Sequence, residues 1–189
     1  MASAIPLRGR AWVFGDNLDV DWDICDLHVL QALSVAGRLP SEEELRRMCL
    51  VRVAPEFPRK VQKGDFVVAG QGTGYSAACL DGMLEDPHRY ALATLALKST
   101  GVTAVLCESA NVTFLMNSFN AGLPVVECRG ITTMVRQGDE VEVDLARGVV
   151  RDLTTGEALR FTPLPPFLLE LVEAGGLYTR LGHPSLGVP

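Results

Sequence analysis

The central part of the chain alternates short apolar segments with helical ones, and this alternation restricts the fold more than any other feature. The segments "DFVVAG", "VTAVLCES" and "LPVVEC" are apolar and rich in β-branched residues, as buried strands are. Between them lie "DPHRYALATLALKSTG", which has Asp86 as a suitable N-cap and Gly101 as its end, and "NVTFLMNSFNAG", which ends at Gly122. Strands joined by helices of this length pair in parallel through right-handed crossovers. The sequence therefore predicts an α/β fold with a mostly parallel sheet.

The last third of the chain has a different pattern. The segment "GDEVEVDLARGVVRDLTTGEALRF" alternates apolar and polar residues, which predicts antiparallel hairpins that turn near Gly148 and Gly156. A closing helix is predicted in "PLPPFLLELVEAGGL". We expect a single domain over residues 1–189, with a core at about 8–128, a small antiparallel β-appendage and closing helix at about 129–181, and a mobile tail at 182–189.

Composition narrows the possible partners. The net charge of −6 and the lack of a basic tract argue against nucleic acid as the main partner. The five cysteines are odd in number and contain no C-x-x-C pair, so we expect neither a disulfide framework nor a self-contained zinc or iron–sulfur site. No apolar run reaches membrane-spanning length, and the first residues lack the apolar core of a signal peptide. We expect a cytoplasmic protein that does not associate with membranes.

Two loops follow predicted strands and carry most of the polar residues that could bind a ligand. They are "GQGTGYS" at residues 70–76 and "ESANVT" at residues 108–113. If their strands are neighbours, both loops lie at the same edge of the sheet, where ligands of open α/β sheets bind. That edge would offer backbone N–H groups to a carboxylate or phosphate, with the side chains of Thr73, Ser76, Ser109, Asn111 and Thr113. The alternative is that the glycines only form the turn and the hydroxyls only cap helices.

The same turn satisfies the loose dinucleotide-binding pattern as Gly72-x-Gly74-x-x-Ala77. That pattern requires a helix at once and a strand that ends in an acid about twenty residues later. Here the next strand ends at Glu108, which is too far along the chain. A nucleotide-binding α/β domain therefore stays only as an alternative.

The segment "FGDNLDVDWDICD" near the start is crowded with aspartates and follows a predicted strand at residues 11–14. Asp19, Asp21 and Asp23 alternate in a way that could suit a cation. The segment lacks the glycine and the final glutamate of an EF-hand loop. We expect most of these acids to be solvated or to cap helices, and we predict no metal site.

Several segments together resemble a known family. These are "GRAWVFGDNLDVD", "KGDFVVAG", "ALATLALKSTGVTAVLCES", "NSFNAGLPVVEC" and "GDEVEVDLARGVVRDLTTGEAL". In this order they resemble the small subunit of 3-isopropylmalate dehydratase, the swivelling domain of the aconitase superfamily. The matches span most of the chain. The resemblance implies a swivelling β/β/α domain.

The resemblance also implies an activity. Enzymes of this family move a hydroxyl between adjacent carbons of a 2-hydroxy di- or tricarboxylic acid by dehydration and rehydration. A 4Fe-4S iron–sulfur cluster on a large subunit binds the substrate hydroxyl, and the small subunit closes over it in a heterodimer or heterotetramer. Asp21 matches a motif aspartate of the family that supports acid–base chemistry. A non-catalytic scaffold or regulatory homologue of the small subunit is the alternative.

The chain departs from the family pattern at the turn. The family's turn reads Asn-Phe-Gly-Cys-Gly-Ser-Ser-Arg-Glu, in which serine is the base and arginine holds a substrate carboxylate. This chain has "GTGYSAAC", and its Ser-Ser-Arg positions fall on residues 77–79 or, counted back from "ALKSTG", on residues 88–90. The difference is an insertion at residues 77–86. A second family arginine is replaced by Met116, and the family's substrate-selecting segment becomes "DICDLHV".

These comparisons give a set of predicted site residues. We predict that Ser76 and Asp21 are catalytic, with Ser76 replacing the missing serine base. The predicted substrate-binding residues are Thr73, Gly74, Arg89, Asn117 and His28. Among them, Arg89 is the candidate to replace the missing arginine, because an arginine at the start of a helix is unfavourable unless an anion lies there.

Overall fold

The computed structural model describes residues 6–76 and 89–181. The predicted insertion, the predicted N-cap Asp86 and the predicted mobile tail lie outside these residues. The strands of the described part are β1 (Leu7–Val13), β2 (Phe66–Ala69), β3 (Ala104–Cys107), β4 (Val125–Glu127), β5 (Glu140–Asp144), β6 (Val149–Asp152) and β7 (Ala158–Arg160). Its helices are α1 (Leu27–Val35), α2 (Glu42–Met48), α3 (Phe57–Lys60), α4 (Arg89–Ser99), α5 (Val112–Asn120), α6 (Ile131–Met134), α7 (Pro166–Glu173) and α8 (Leu177–Arg180), with a π-helical turn at Val20–Ile24.

All seven described strands form one sheet in the order β4-β3-β2-β1-β5-β6-β7. The pairs from β1 to β4 are parallel, and those from β1 through β5 to β7 are antiparallel. The predicted α/β fold with its mostly parallel sheet is confirmed, and so are the hairpins and the closing helix. The predicted β-appendage continues the main sheet, because β5 pairs directly with β1.

Strand β1 is the boundary between the two halves of the sheet. Its first part, Leu7 to Arg10, pairs with β5, and its last part pairs with β2. The strand therefore begins earlier than the predicted residues 11–14. Glu142 on β5 holds the boundary together by ion pairs of 2.6 Å to Arg8 and 2.9 Å to Arg151 on β6.

The parallel centre of the sheet is buried on both faces. Every residue of β2 and β3 is buried, which explains why these strands are apolar without alternation. Val67 and Val105 face a core that includes Leu97 of α4. Val68 and Leu106 face a second core on the opposite side of the sheet. No helix of the described residues is long and apolar enough to cross a membrane.

Candidate active site

The loops after β2 and β3 meet at the carboxyl edge of the sheet, as the parallel pairing of these strands requires. A single parallel bridge joins Thr73 to Ala110. Ser109 fastens the two loops, since its Oγ accepts a hydrogen bond of 3.0 Å from the Gly72 amide and its carbonyl accepts one of 3.0 Å from the Thr73 amide. The Asn111 side chain accepts from the Thr113 amide at 2.8 Å and caps α5.

The amides of the glycine-rich turn are directed into the protein. From Gly70 to Tyr75, each N–H donates to a protein acceptor: in order, Gly15 O, Asp16 Oδ1, Ser109 Oγ, Ser109 O, Leu18 O and Gly72 O. A turn that cradles a phosphate needs such groups pointing at the ligand. The expectation that backbone N–H groups of this turn bind an anion is therefore wrong for residues 70–75, and the dinucleotide alternative loses its main support.

Thr73 and Gly74 shape this turn. Thr73 is fully buried, and its hydroxyl donates to the Gly70 carbonyl at 3.0 Å. Gly74 has φ of +80°, and a Cβ there would lie 2.4 Å from the side chain of Phe114. Only glycine fits at such a conformation and so close a contact. The substrate-binding role predicted for both residues stays a prediction.

The aspartates of residues 16–26 mostly hold backbone amides. Asp19 caps the π-helical turn, with its side chain accepting from the Asp21 amide at 2.7 Å. Asp23 accepts from the Asp19 amide, and Asp26 from the His28 amide, both at 3.0 Å. The expected capping role is confirmed, but Asp19 and Asp21 are buried rather than solvated. The described residues contain no group of acids, histidines and cysteines that could hold a metal ion.

Asp21 and Ser76 form a buried hydroxyl–carboxylate pair. The Ser76 hydroxyl donates to Oδ2 of Asp21 at 2.5 Å, and the two residues are 4% and 1% exposed. The π-helical turn and the glycine-rich turn are brought together by the Val20 amide, which donates to the Tyr75 carbonyl at 2.8 Å. A short hydrogen bond to an ionised acceptor is stronger than one between neutral groups. Such a pair can pass a proton between the hydroxyl and the carboxylate.

Of the other predicted site residues, Asn117 and His28 have other contacts, and Arg89 is only partly described. The Asn117 side chain donates to the Thr113 carbonyl of its own helix at 2.9 Å. His28 contacts the edge of Trp22, with ring centroids 5.2 Å apart. Among the described residues, neither donates to Ser76 or Asp21. Arg89 is the first residue of α4.

Arg52 is a further candidate site residue that the sequence did not indicate. Its guanidinium lies 5.5 Å from the centroid of the Trp22 ring, beside the π-helical turn that carries Asp21. The Trp22 ring therefore contacts both the guanidinium of Arg52 and the ring of His28. No motif surrounds Arg52 in the sequence, so nothing local separates it from an ordinary surface arginine.

The described cysteines are unsuitable as cluster ligands. Cys25, Cys49, Cys107 and Cys128 are free and buried. Burial raises the pKa of the Cys107 thiol to about 12 and that of Cys128 to about 11. All four cysteines belong to the two hydrophobic cores, and among the described residues they form no group that could hold a metal ion.

The described structure is thus a mostly parallel sheet, extended by antiparallel strands, with a buried serine–aspartate pair beside the loop that follows β2. A crystal structure of a 3-isopropylmalate dehydratase from Methanocaldococcus jannaschii superposes with a TM-score of 0.76, at 26% identity and over 94% of each chain.

Among curated proteins, the isopropylmalate/citramalate isomerase small subunit of M. jannaschii is 39% identical over 90% of each chain. A 3-isopropylmalate dehydratase small subunit of Thermotoga maritima is 37% identical over 93% of this chain and 94% of its own. No family model matches the chain. The chain belongs to the family of 3-isopropylmalate dehydratase small subunits, which confirms the resemblance found in the sequence.

Proposed function

We propose that this chain is the catalytically competent small subunit of an iron–sulfur hydro-lyase, and that it dehydrates and rehydrates a 2-hydroxy di-acid or a related hydroxy acid. The observation that supports the proposal is the buried hydrogen bond of 2.5 Å from Ser76 to Asp21. It joins a hydroxyl and a carboxylate at the edge of the sheet where α/β proteins bind their ligands.

The proposed chemistry of the pair is general acid–base catalysis. In the dehydration direction, Ser76 Oγ removes a proton from the substrate carbon while its own proton passes to Asp21. The electron pair of that C–H bond forms the carbon–carbon double bond, the C–O bond on the adjacent carbon breaks, and hydroxide leaves. In the rehydration direction, hydroxide adds to the double bond and the protons return by the same route. Asp21 makes Ser76 a stronger base because the carboxylate accepts the hydroxyl proton, as a third group does in catalytic triads. Proton transfer of this kind contributes roughly 10²–10⁴-fold to a rate.

The cluster and the partner are part of the proposal. We assign the 4Fe-4S cluster to a large subunit, and the four described cysteines, which are free and buried, support this assignment. When bound there, the cluster supplies a Lewis acid for the substrate hydroxyl. The relatives are named small subunits, which supports a large-subunit partner in a heterodimer or heterotetramer. Four free thiols in the described residues suit a reducing compartment such as the cytoplasm.

The substrate class follows from the relatives and from the departures of this chain. Two relatives are named for isopropylmalate and one of these also for citramalate. We place the substrate of this chain in the same chemical class, a 2-hydroxy acid with at least one carboxylate. Methionine at position 116 cannot hold a carboxylate as an arginine does. Arg89, at the start of α4, is the proposed replacement.

The test is activity of the reconstituted complex. The chain is co-expressed with a cluster-binding large subunit of the same enzyme family, and alkene formation from 3-isopropylmalate and citramalate is followed by ultraviolet absorbance. We expect the isolated chain to be inactive and the complex to be active. Ser76→Ala should lower kcat by about 10²-fold or more.

The matched control is Ser99→Ala. Ser99 lies at the end of α4, and its hydroxyl donates only to the Ala96 carbonyl at 2.6 Å among the described residues. Its loss should leave kcat unchanged. If the complex forms and Ser76→Ala has no effect on its activity, the chain is a scaffold or regulatory homologue instead.

A further inference from the structure

A cleft of about 890 Å³ lies between α5, the end of β4 and the segment that joins β7 to α7. Its walls are largely apolar, formed by Leu115, Phe119, Val125, Leu164 and Leu168. This volume falls within the range of roughly 300–1,000 Å³ that is usual for small-molecule sites. Neither Ser76 nor Asp21 lines the cleft, so it is distinct from the proposed catalytic pair.

Two arginines line this cleft, Arg129 after β4 and Arg160 at the end of β7. The two are brought to one place because the chain after β4 meets the end of β7, where the Cys128 thiol points at the Arg160 carbonyl at 3.9 Å. Within residues 6–76 and 89–181, neither guanidinium donates a hydrogen bond or forms an ion pair within 4 Å. Their donor groups are therefore available to a ligand.

Two carboxylates also line the cleft, and each accepts at least one hydrogen bond from the protein. Glu108 accepts from the Gly130 amide and from the Thr132 hydroxyl, both at 2.8 Å. Glu127 accepts from the Ala110 amide at 2.8 Å. Their negative charges remain, and a ligand with two carboxylates would bring its second one close to them. The formal charges of the two arginines and the two glutamates cancel, so a ligand with a single carboxylate can contact the arginines, whereas a second carboxylate would meet Glu108 and Glu127 without a further cation.

We propose that this cleft binds a small monocarboxylate with an apolar body. The carboxylate accepts hydrogen bonds from Arg129 and Arg160, whose planar guanidinium groups match its two oxygens. The hydrocarbon part covers Leu115, Phe119 and Leu164. Binding here is independent of the hydro-lyase activity proposed for the Ser76–Asp21 pair. Ser109 lies between the cleft and the loop that carries Ser76. It lines the cleft, and its hydroxyl oxygen accepts a hydrogen bond from the Gly72 amide of the glycine-rich turn.

The test uses three six-carbon probes on the full chain: hexanoate, hexan-1-ol and adipate. We expect hexanoate to bind saturably in calorimetric titrations. Hexan-1-ol lacks the charge and adipate carries a second one, so both should bind at least about tenfold more weakly. In amide NMR spectra, hexanoate should shift the signals of Ser109, Phe119 and Leu164. Hexanoate that does not saturate, or shifts confined to other parts of the chain, would overturn the proposal.

The variants Arg129→Gln and Arg160→Gln separate the carboxylate contact from apolar binding. Each should weaken hexanoate binding about tenfold or more and leave the weak binding of hexan-1-ol unchanged. Arg136→Gln is the matched control, because Arg136 is exposed and does not line the cleft. Equal hexanoate affinity in both cleft variants and the wild type would contradict the proposal. The NMR comparison on the wild-type chain decides the matter even where a variant folds poorly.

Discussion

The Ser76 hydroxyl donates a hydrogen bond of 2.5 Å to Asp21, although 55 positions separate the two residues in the chain. The pair exists because two irregular segments meet at the end of β2. The Asp19 side chain accepts a hydrogen bond from the Asp21 amide and so holds the π-helical turn that carries Asp21. The Val20 amide donates a hydrogen bond to the carbonyl of Tyr75, the residue before Ser76. The two side chains are thus held as one unit, and their contributions to catalysis should not be independent.

A double-mutant cycle tests this coupling. Ser76→Ala and Asp21→Asn should each lower kcat of the complex by about 10²–10⁴-fold, because each breaks the same proton transfer. The double variant should be little worse than the more damaging single one, as for residues that act as a unit. Steady-state assays of alkene formation measure all four proteins. Losses that multiply in the double variant would show that the two side chains act separately.

Gly74→Ala should disrupt the turn that carries Ser76. The backbone there has φ of +80°, and the new methyl group would lie 2.4 Å from the Phe114 side chain. Strain and overpacking together should cost about 2–5 kcal/mol and lower Tm by at least about 5 °C. Differential scanning calorimetry measures the change. Gly15→Ala is the control, since no atom lies within 4 Å of its Cβ position, and its Tm should stay near that of the wild type.

Glu142→Gln should weaken the boundary between the parallel and antiparallel halves of the sheet in a pH-dependent way. The hydrogen bond from Arg8, followed by that from Arg151, holds the pKa of Glu142 below its usual value. A carboxyl whose pKa is lower in the folded state contributes stability above its unfolded pKa of about 4.3 and loses it as the pH falls through the folded pKa. At pH 7 we expect a loss of about 1 kcal/mol, or roughly 2–4 °C in Tm, because both arginines are partly exposed and solvent screens them.

The difference in Tm between Glu142→Gln and the wild type should therefore shrink as the pH is lowered below about 4. Thermal melts at pH 7, 5, 4 and 3 follow it. Glu157→Gln is the matched control, because Glu157 is exposed and its carboxylate accepts no hydrogen bond among the described residues. A Tm difference that is the same at every pH would contradict the ionic origin of the effect.

The regular part of this fold could be predicted from the sequence because each element carries its own signal. The buried strands β2 and β3 are continuous apolar runs, and the hairpins alternate with glycine turns. The joining of the parallel and antiparallel halves into one sheet through β1 could not be predicted, because it depends on β5 pairing with the free edge of β1. The burial of Asp21 could not be predicted either, because it depends on a π-helical turn that no local sequence pattern indicates.

The ligand groups of the site were harder to predict than its position. The two loops do meet at one edge, as the strand order requires, but their amides are used inside the protein. A glycine-rich turn has the same composition whether its N–H groups face a ligand or a neighbouring loop. Here the N–H groups face neighbouring loops, because residues 15–18 and 109 supply the acceptors. These residues lie far from the turn in sequence, so the turn itself does not reveal them.

Met116→Arg should restore binding of a second substrate carboxylate. Met116 is 56% exposed on α5, one turn after the 70% exposed Val112, and it stands where related small subunits have an arginine by the resemblance described above. An arginine at an exposed helix position should change the free energy of unfolding by less than about 0.5 kcal/mol. A bidentate contact with a carboxylate should lower KM for 3-isopropylmalate about tenfold and leave kcat nearly unchanged.

Two further variants separate the charge of this residue from its shape. Met116→Lys supplies a cation without the planar fork and should lower KM by a smaller factor, and Met116→Gln supplies neither and should leave KM unchanged. KM and kcat of each complex are measured with 3-isopropylmalate and with a 2-hydroxy acid that has a single carboxylate. For the second substrate, Met116→Arg should bring no gain, because that substrate has no second carboxylate to bind. A KM for 3-isopropylmalate that is the same in Met116→Arg and the wild type would show that position 116 does not face the substrate.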